Sequence, residues 1–137
     1  MGNKIAVVCG SFHKKEVGIM LEEARRTAKE NGLEIVKELW APGSMEKPLA
    51  VKRILKDGKV DGIVVLGIIE RGETKHGLVM GQAVTSALIG LQLEFMKPIG
   101  MGILGPEILP EQIEKRLKPY AKGAVLAVKE MLNMAGD

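Results

Sequence analysis

The run Gly62-Ile63-Val64-Val65-Leu66-Gly67-Ile68 decides the fold. It carries no polar side chain, so both of its faces need cover. That is the signature of a central strand in a parallel sheet with helices on both sides. A short polar stretch follows, Glu70-Arg71-Gly72-Glu73-Thr74-Lys75-His76, and then a helical segment from about Glu73 to Phe95. Strand, polar turn and helix in that order make half of a βαβ unit.

The same unit recurs on either side. Upstream, Ile5 to Cys9 reads as a buried strand ended by Gly10. Lys15 to Asn31 has helical apolar spacing, with Val17, Met20, Leu21, Ala24 and Ala28 on one side, and Gly32 stops it. Leu33 to Leu39 reads as a second strand, broken by Ala41-Pro42-Gly43. Ser44 is placed to cap a helix reaching about Lys56, with Pro48 tolerated in its first turn. Downstream, Ile99 to Leu104 is a fourth strand and Gly105-Pro106 turns the chain. A last helix runs from about Pro110 to Met134, bent at Pro119. Four strand–helix repeats imply parallel strands joined by right-handed crossovers. The expectation is a single α/β domain over residues 1–137: a three-layer α/β/α sandwich around a doubly wound, four-stranded parallel sheet of flavodoxin-like type.

Composition agrees with one globular core: 137 residues, 46% apolar and 27% charged. The net charge of +3 is mixed along the chain and too weak to argue for nucleic acid. With Cys9 the lone cysteine and no leader-like start, a reducing cytoplasm is the expected location. The segment from Gly77 to Leu93 contains no charge. A membrane span is a rival reading, but the stretch is slightly short and sits inside a regular βα pattern. A helix apolar all round needs cover on its outer face too, so a homo-oligomer with this helix at a subunit contact is expected.

Ligands of doubly wound sheets bind at the carboxyl ends of the strands. That rule selects the loops 10–14, 40–46, 67–76 and 104–110. In the third, the helix is expected to begin directly after Gly72. Its free N–H groups and the Thr74 hydroxyl would then hold a phosphate without a metal, although Glu73 merely countering the helix dipole is the plainer alternative. His76, in the same turn beside that anion site, is the candidate proton carrier. Phe12, in the first loop, either stacks on a flat ring or covers the core. Arg116, with Lys115, Lys118 and Lys122 nearby, supplies cations on the last helix; such charges ordinarily form a solvated face, and a single arginine folded back on the phosphate turn would be the functional exception. Gly100-Met101-Gly102-Ile103-Leu104-Gly105 fits the dinucleotide fingerprint only in letters. It lies in a late strand with no following βαβ unit, and its small residues are read as allowing close layer packing. His13, His76 and Cys9 have no metal-ligand spacing, so no metal is expected.

Phe12 after the first strand, Pro42-Gly43-Ser44-Met45-Glu46-Lys47-Pro48, and Leu66 to His76 with its Gly-Glu-Thr-x-His ending resemble, together and at this spacing, the lumazine synthase family in its archaeal form. The likeness extends from Ile5 to about Lys129. It implies condensation of 5-amino-6-(ribitylamino)uracil with 3,4-dihydroxy-2-butanone 4-phosphate, the penultimate step of riboflavin biosynthesis, without cofactor or metal. By the same resemblance Phe12 stacks on the pyrimidine, Ser44, Met45 and Glu46 line the ribityl chain, and Ile68, Ile69 and Glu70 hold the uracil edge. Glu73, Thr74 and Arg116 hold the phosphate, and His76 moves protons. Pentamers with active sites between neighbours are implied, Met101 standing where an adjacent subunit often supplies an aromatic. Three departures are visible: His13 where an asparagine is expected, Glu70 in place of an aliphatic residue, and Met101 itself. The arginine region is also short, which leaves Lys115 as an alternative to Arg116. Two rival readings are a related archaeal riboflavin synthase and a non-catalytic flavin- or lumazine-binding shell.

Overall fold

The computed structural model describes residues 2–134. Residues 1 and 135–137, which the single-domain expectation includes, lie outside the described residues. Four parallel strands, β1 (Asn3–Gly10), β2 (Leu33–Ala41), β3 (Gly62–Glu70) and β4 (Ile99–Ile108), lie in the order β2-β1-β3-β4. The helices are α1 (Lys14–Glu30), α2 (Lys47–Asp57), α3 (His76–Phe95), the single-turn α4 (Pro110–Ile113) and α5 (Leu117–Met134).

Alternation along the strands divides the core in two. Ile5, Val7, Val64, Leu66 and Leu104 face α1 and α5, packing on Val17, Met20, Leu21, Ala121 and Val125. Ala6, Val8, Ile63, Val65 and Ile99 face α2 and α3, packing on Val51, Ile54, Val84 and Leu88. The three-layer, doubly wound expectation is therefore met. The winding reverses between β1 and β3, which pair from Ile5–Gly62 to Cys9–Leu66. A crevice opens at the carboxyl ends of those two strands.

The glycines of the false dinucleotide motif are packing devices. A Cβ on Gly100 would lie 2.1 Å from the Ala124 carbonyl oxygen of α5, and one on Gly102 would lie 2.8 Å from Leu66 Cδ2. Their lack of side chains lets α5 lie directly on the sheet.

Six features differ from expectation. Strands β2, β3 and β4 run on to Ala41, Glu70 and Ile108, because ladder pairing continues through positions whose sequence reads as turn. Ser44 does not cap α2. It lies in a one-turn 3-10 helix (Ser44–Glu46), and its hydroxyl accepts from Lys47 Nζ instead. Helix α3 starts at His76, not Glu73. The bend expected at Pro119 falls earlier, in the 3-10 turn Glu114–Arg116, and Pro119 sits in the first turn of α5. A proline inside a helix clashes with the carbonyl four residues back, which is that of Lys115.

The unusual helix α3 buries Gly81, Val84, Leu88 and Leu91 on the sheet. Its far side leaves Val79 and Leu93 more than 60% exposed, so the chain alone does not cover it.

Candidate active site

A cavity of about 440 Å³ opens at the winding reversal. The β1–α1 turn contributes Phe12 and His13. The segment after β2 contributes Gly43, Ser44, Met45 and Glu46. The end of β3 and the turn beyond it contribute Ile68, Ile69, Glu70, Gly72 and Thr74, and the start of α3 contributes His76, Gly77 and Met80. A larger groove of about 1040 Å³ runs between the edge strand β2 and α2, lined by Lys4, Lys37, Trp40, Arg53 and Lys59 among others. It runs from the carboxyl end of the edge strand β2 to the amino end of the sheet and is not lined by the ends of β1 and β3 at the winding reversal, so the smaller cavity is the candidate active site.

Nine of the twelve residues singled out by sequence meet there: Phe12, Ser44, Met45, Glu46, Ile68, Ile69, Glu70, Thr74 and His76. Phe12 is 73% exposed and stands against Gly43, where a Cβ would meet its ring at 3.8 Å. It is therefore no lid over the core. Its open face is free to meet a planar ligand.

The later start of α3 moves the anion cradle. Glu73 and Thr74 belong to the loop, and Val79 N–H already closes on the Lys75 carbonyl at 3.0 Å. The first-turn N–H groups are those of His76, Gly77 and Leu78. Thr74 Oγ1 accepts from the His76 N–H at 3.3 Å, so the threonine ties the loop to the helix start. Glu73, Met101 and Arg116 do not line the cavity. Met101 packs against the α2–α3 side of the core. Arg116 donates from Nη1 to the Gln112 carbonyl at 2.9 Å, while Lys115, Lys118 and Lys122 are exposed. The titratable lining groups are His13, Glu46, Glu70 and His76, with no lysine or arginine among them.

Two features escaped the sequence reading. His13 Nε2 lies 3.1 Å from Glu70 Oε1, bringing together two residues that each depart from the family pattern. Behind Ser44, the first residue of α2 is Lys47, with no exposed surface. Its Nζ donates to Ser44 Oγ at 3.4 Å, and its side chain fills a slot left by two glycines. A Cβ on Gly67 would lie 2.0 Å from Nζ, and one on Gly10 2.9 Å from Cε. Burial lowers this amine from 10.5 to about 8, opposed in part by Cys9. Cys9 itself is pushed up to about 12, chiefly by burial. Among the described residues no three His, Cys, Asp or Glu side chains converge as a metal-binding group.

Comparison with known proteins now adds an independent line. The family model for 6,7-dimethyl-8-ribityllumazine synthase matches residues 2–136. A protein of that name from Staphylothermus marinus is 37% identical over 130 residues, covering 95% of this chain and 87% of the relative. One from Picrophilus torridus is 37% identical over 131 residues, covering 96% of each chain. One from Metallosphaera sedula is 36% identical over 128 residues, covering 93% of this chain and 85% of the relative.

Proposed function

The chain belongs to the 6,7-dimethyl-8-ribityllumazine synthase family, and from that premise we propose that it condenses 5-amino-6-(D-ribitylamino)uracil with 3,4-dihydroxy-2-butanone 4-phosphate, releasing phosphate and water. It is an enzyme of the transferase class, acting in riboflavin biosynthesis. The observation that carries the reading is the cavity at the winding reversal, where nine of the twelve expected residues converge. The riboflavin synthase and binding-shell readings are not favoured, since the relatives carry the name of the lumazine-forming enzyme.

In this reading Phe12 stacks on the pyrimidine. Ser44, Met45 and Glu46 line the ribityl chain, with the Glu46 carboxylate accepting from its hydroxyls. Ile68, Ile69 and Glu70 hold the uracil edge through their backbone. Thr74 and the first N–H groups of α3 receive the phosphate, with Glu73 contributing from the loop through its backbone. His76 moves protons as the substrate amine attacks the ketone, phosphate departs and the ring closes. Much of the rate comes from holding two reactants in register in a water-poor cleft. These steps involve no net redox change and need no Lewis acid, so the enzyme works without cofactor or metal. Met101 and Arg116 are assigned to the site of a neighbouring copy, because neither lines this chain's own cavity. A pentamer-based homo-oligomer in the cytoplasm completes the proposal, supported by the uncovered outer face of α3.

The test is to mix the purified protein with both substrates and follow lumazine absorbance and phosphate release. Turnover that drops at least tenfold in His76→Ala supports the reaction and the role of His76. Turnover untouched by the substitution keeps the reaction and removes His76 from it. Ligand binding without phosphate release would return the binding-shell reading.

A further inference from the structure

We propose that His13, held by Glu70, is a second proton-transfer residue of this site, acting on the substrate amine across the cavity mouth. The inference rests on the reaction proposed above and adds a residue to it.

The geometry is specific. His13 ends the β1–α1 turn and Glu70 is the last residue of β3, 57 positions later. Their side chains meet at 3.1 Å, each about one-third exposed, and both line the cavity. His13 adopts a left-handed backbone conformation, φ 57° and ψ 46°, uncommon outside glycine although histidine, asparagine and aspartate are the side-chain-bearing residues most often found in it. A sparsely populated conformation at a site-lining residue needs support from its surroundings. The Glu70 carboxylate is available for that support: the adjacent Arg71 pairs with Glu107 at 3.4 Å instead. The other titratable groups facing the cavity are Glu46, from the 3-10 turn, and His76, from α3.

A carboxylate beside Nε2 holds the ring proton on that nitrogen and leaves the Nδ1 lone pair as the base. The chemistry has use for it. As the amine nitrogen of the uracil bonds to the ketone carbon, the carbonyl π pair moves to oxygen and the nitrogen must shed a proton. His13 Nδ1 takes that proton and returns it to the alkoxide oxygen, giving the carbinolamine; the second nitrogen proton then follows the same route to the hydroxyl, so that the C–O bond breaks, water departs and the C=N bond forms. His76 remains free for the proton lost as phosphate leaves. The two transfers occur at different atoms, and imidazoles on separate elements suit them.

His13→Asn is the informative variant, because asparagine tolerates the left-handed backbone and carries no base. The expected result is a fall in kcat of about 10- to 100-fold with KM changed less than twofold, and partial recovery on adding imidazole. Glu70→Gln should lower kcat less, and 15N NMR of the histidine ring should show that wild type carries its proton on Nε2 and that this preference is lost in the variant. Folding of both variants is checked by circular dichroism and by unchanged affinity for the lumazine product. Wild-type turnover with His13→Asn within twofold of it, or a wild-type ring protonated on Nδ1, overturns this inference alone. No wild-type turnover overturns the reaction and this inference together.

Discussion

Lys47→Met should stabilise the protein at pH 7, and the gain should shrink as pH rises. Lys47 is wholly buried, and its Nζ has a single long hydrogen bond, to Ser44. No carboxylate lies within ion-pair distance among the described residues. An ammonium so placed has lost its hydration without gaining a counter-charge, which is why its proton affinity falls from 10.5 to about 8. The opposing influence of Cys9 is absent at neutral pH, since a thiol pushed up to about 12 is uncharged there. Between about 8 and 10.5 the unfolded chain binds more protons than the native one, so stability rises with pH across that window. Below it the full cost is present, about 3 kcal/mol at pH 7, while about 1.4 kcal/mol remains at pH 9.5. Methionine keeps the length of the side chain without its charge, so it should recover most of that difference. The expected gain at pH 7 is roughly 10 °C in Tm for a chain of this length. Urea unfolding of both proteins at pH 7 and 9.5, at one protomer concentration, measures the difference directly, and the Cys9 contribution cancels between them. A variant that is less stable at pH 7, or a gain of equal size at both pH values, refutes the reasoning.

Other consequences are more local. Gly100→Ala should cost about 1–3 kcal/mol in urea unfolding because its Cβ would press on the Ala124 carbonyl oxygen, whereas Gly18→Ala, with nothing within 4 Å, should gain up to about 1 kcal/mol of helix stability. Leu93→Lys, on the uncovered face of α3, should reduce the assembled mass in sedimentation without changing the circular dichroism; an unchanged mass would remove that helix from the contact. Cys9 should resist an aromatic disulfide reagent at pH 8 in the native protein and react at once in urea. The stability its protonated form provides is fully present below pH 9 and fades as pH rises towards 12. If Arg116 serves a neighbour's site, an unfolded and co-refolded mixture of Arg116→Ala and His76→Ala should regain roughly a quarter of wild-type turnover, the statistical share of intact contacts in a closed ring. Mixing that restores nothing would return both residues to one chain.

Much of the fold was legible because strands apolar on both faces admit few architectures. β3 alone, buried from Gly62 to Ile69, requires a layer on either side. The start of α3 was not legible. Glu73, Thr74 and Lys75 are acceptable in a helix, and only β3 running on to Glu70 keeps them in the loop. Lys47 was not legible either. Between Glu46 and Pro48 it reads as a solvated cation, and its burial depends on Gly10 and Gly67 standing side by side on paired strands, a fact of register. His13 and Glu70 were each visible as departures from a pattern. Their contact was not, because only the β1–β3 neighbour relation brings the two turns together.

The charge of the cavity bears on how the site is completed. Its titratable lining is two imidazoles and two carboxylates, while one proposed substrate carries a phosphate. Helix N–H groups and a threonine hydroxyl offer partial positive charge. The full charges on the lining itself are negative, from Glu46 and Glu70, and the nearest buried cation, Lys47, lies behind Ser44 and not on the cavity wall. The His13–Glu70 contact gives one of those carboxylates a hydrogen-bond donor but no counter-charge. The lining supplies no cation of its own, and Arg116 of a second copy is the one proposed above to supply it. On this view the apolar outer face of α3 and the missing cation are two aspects of one requirement: assembly covers the helix and also delivers the charge that holds the substrate.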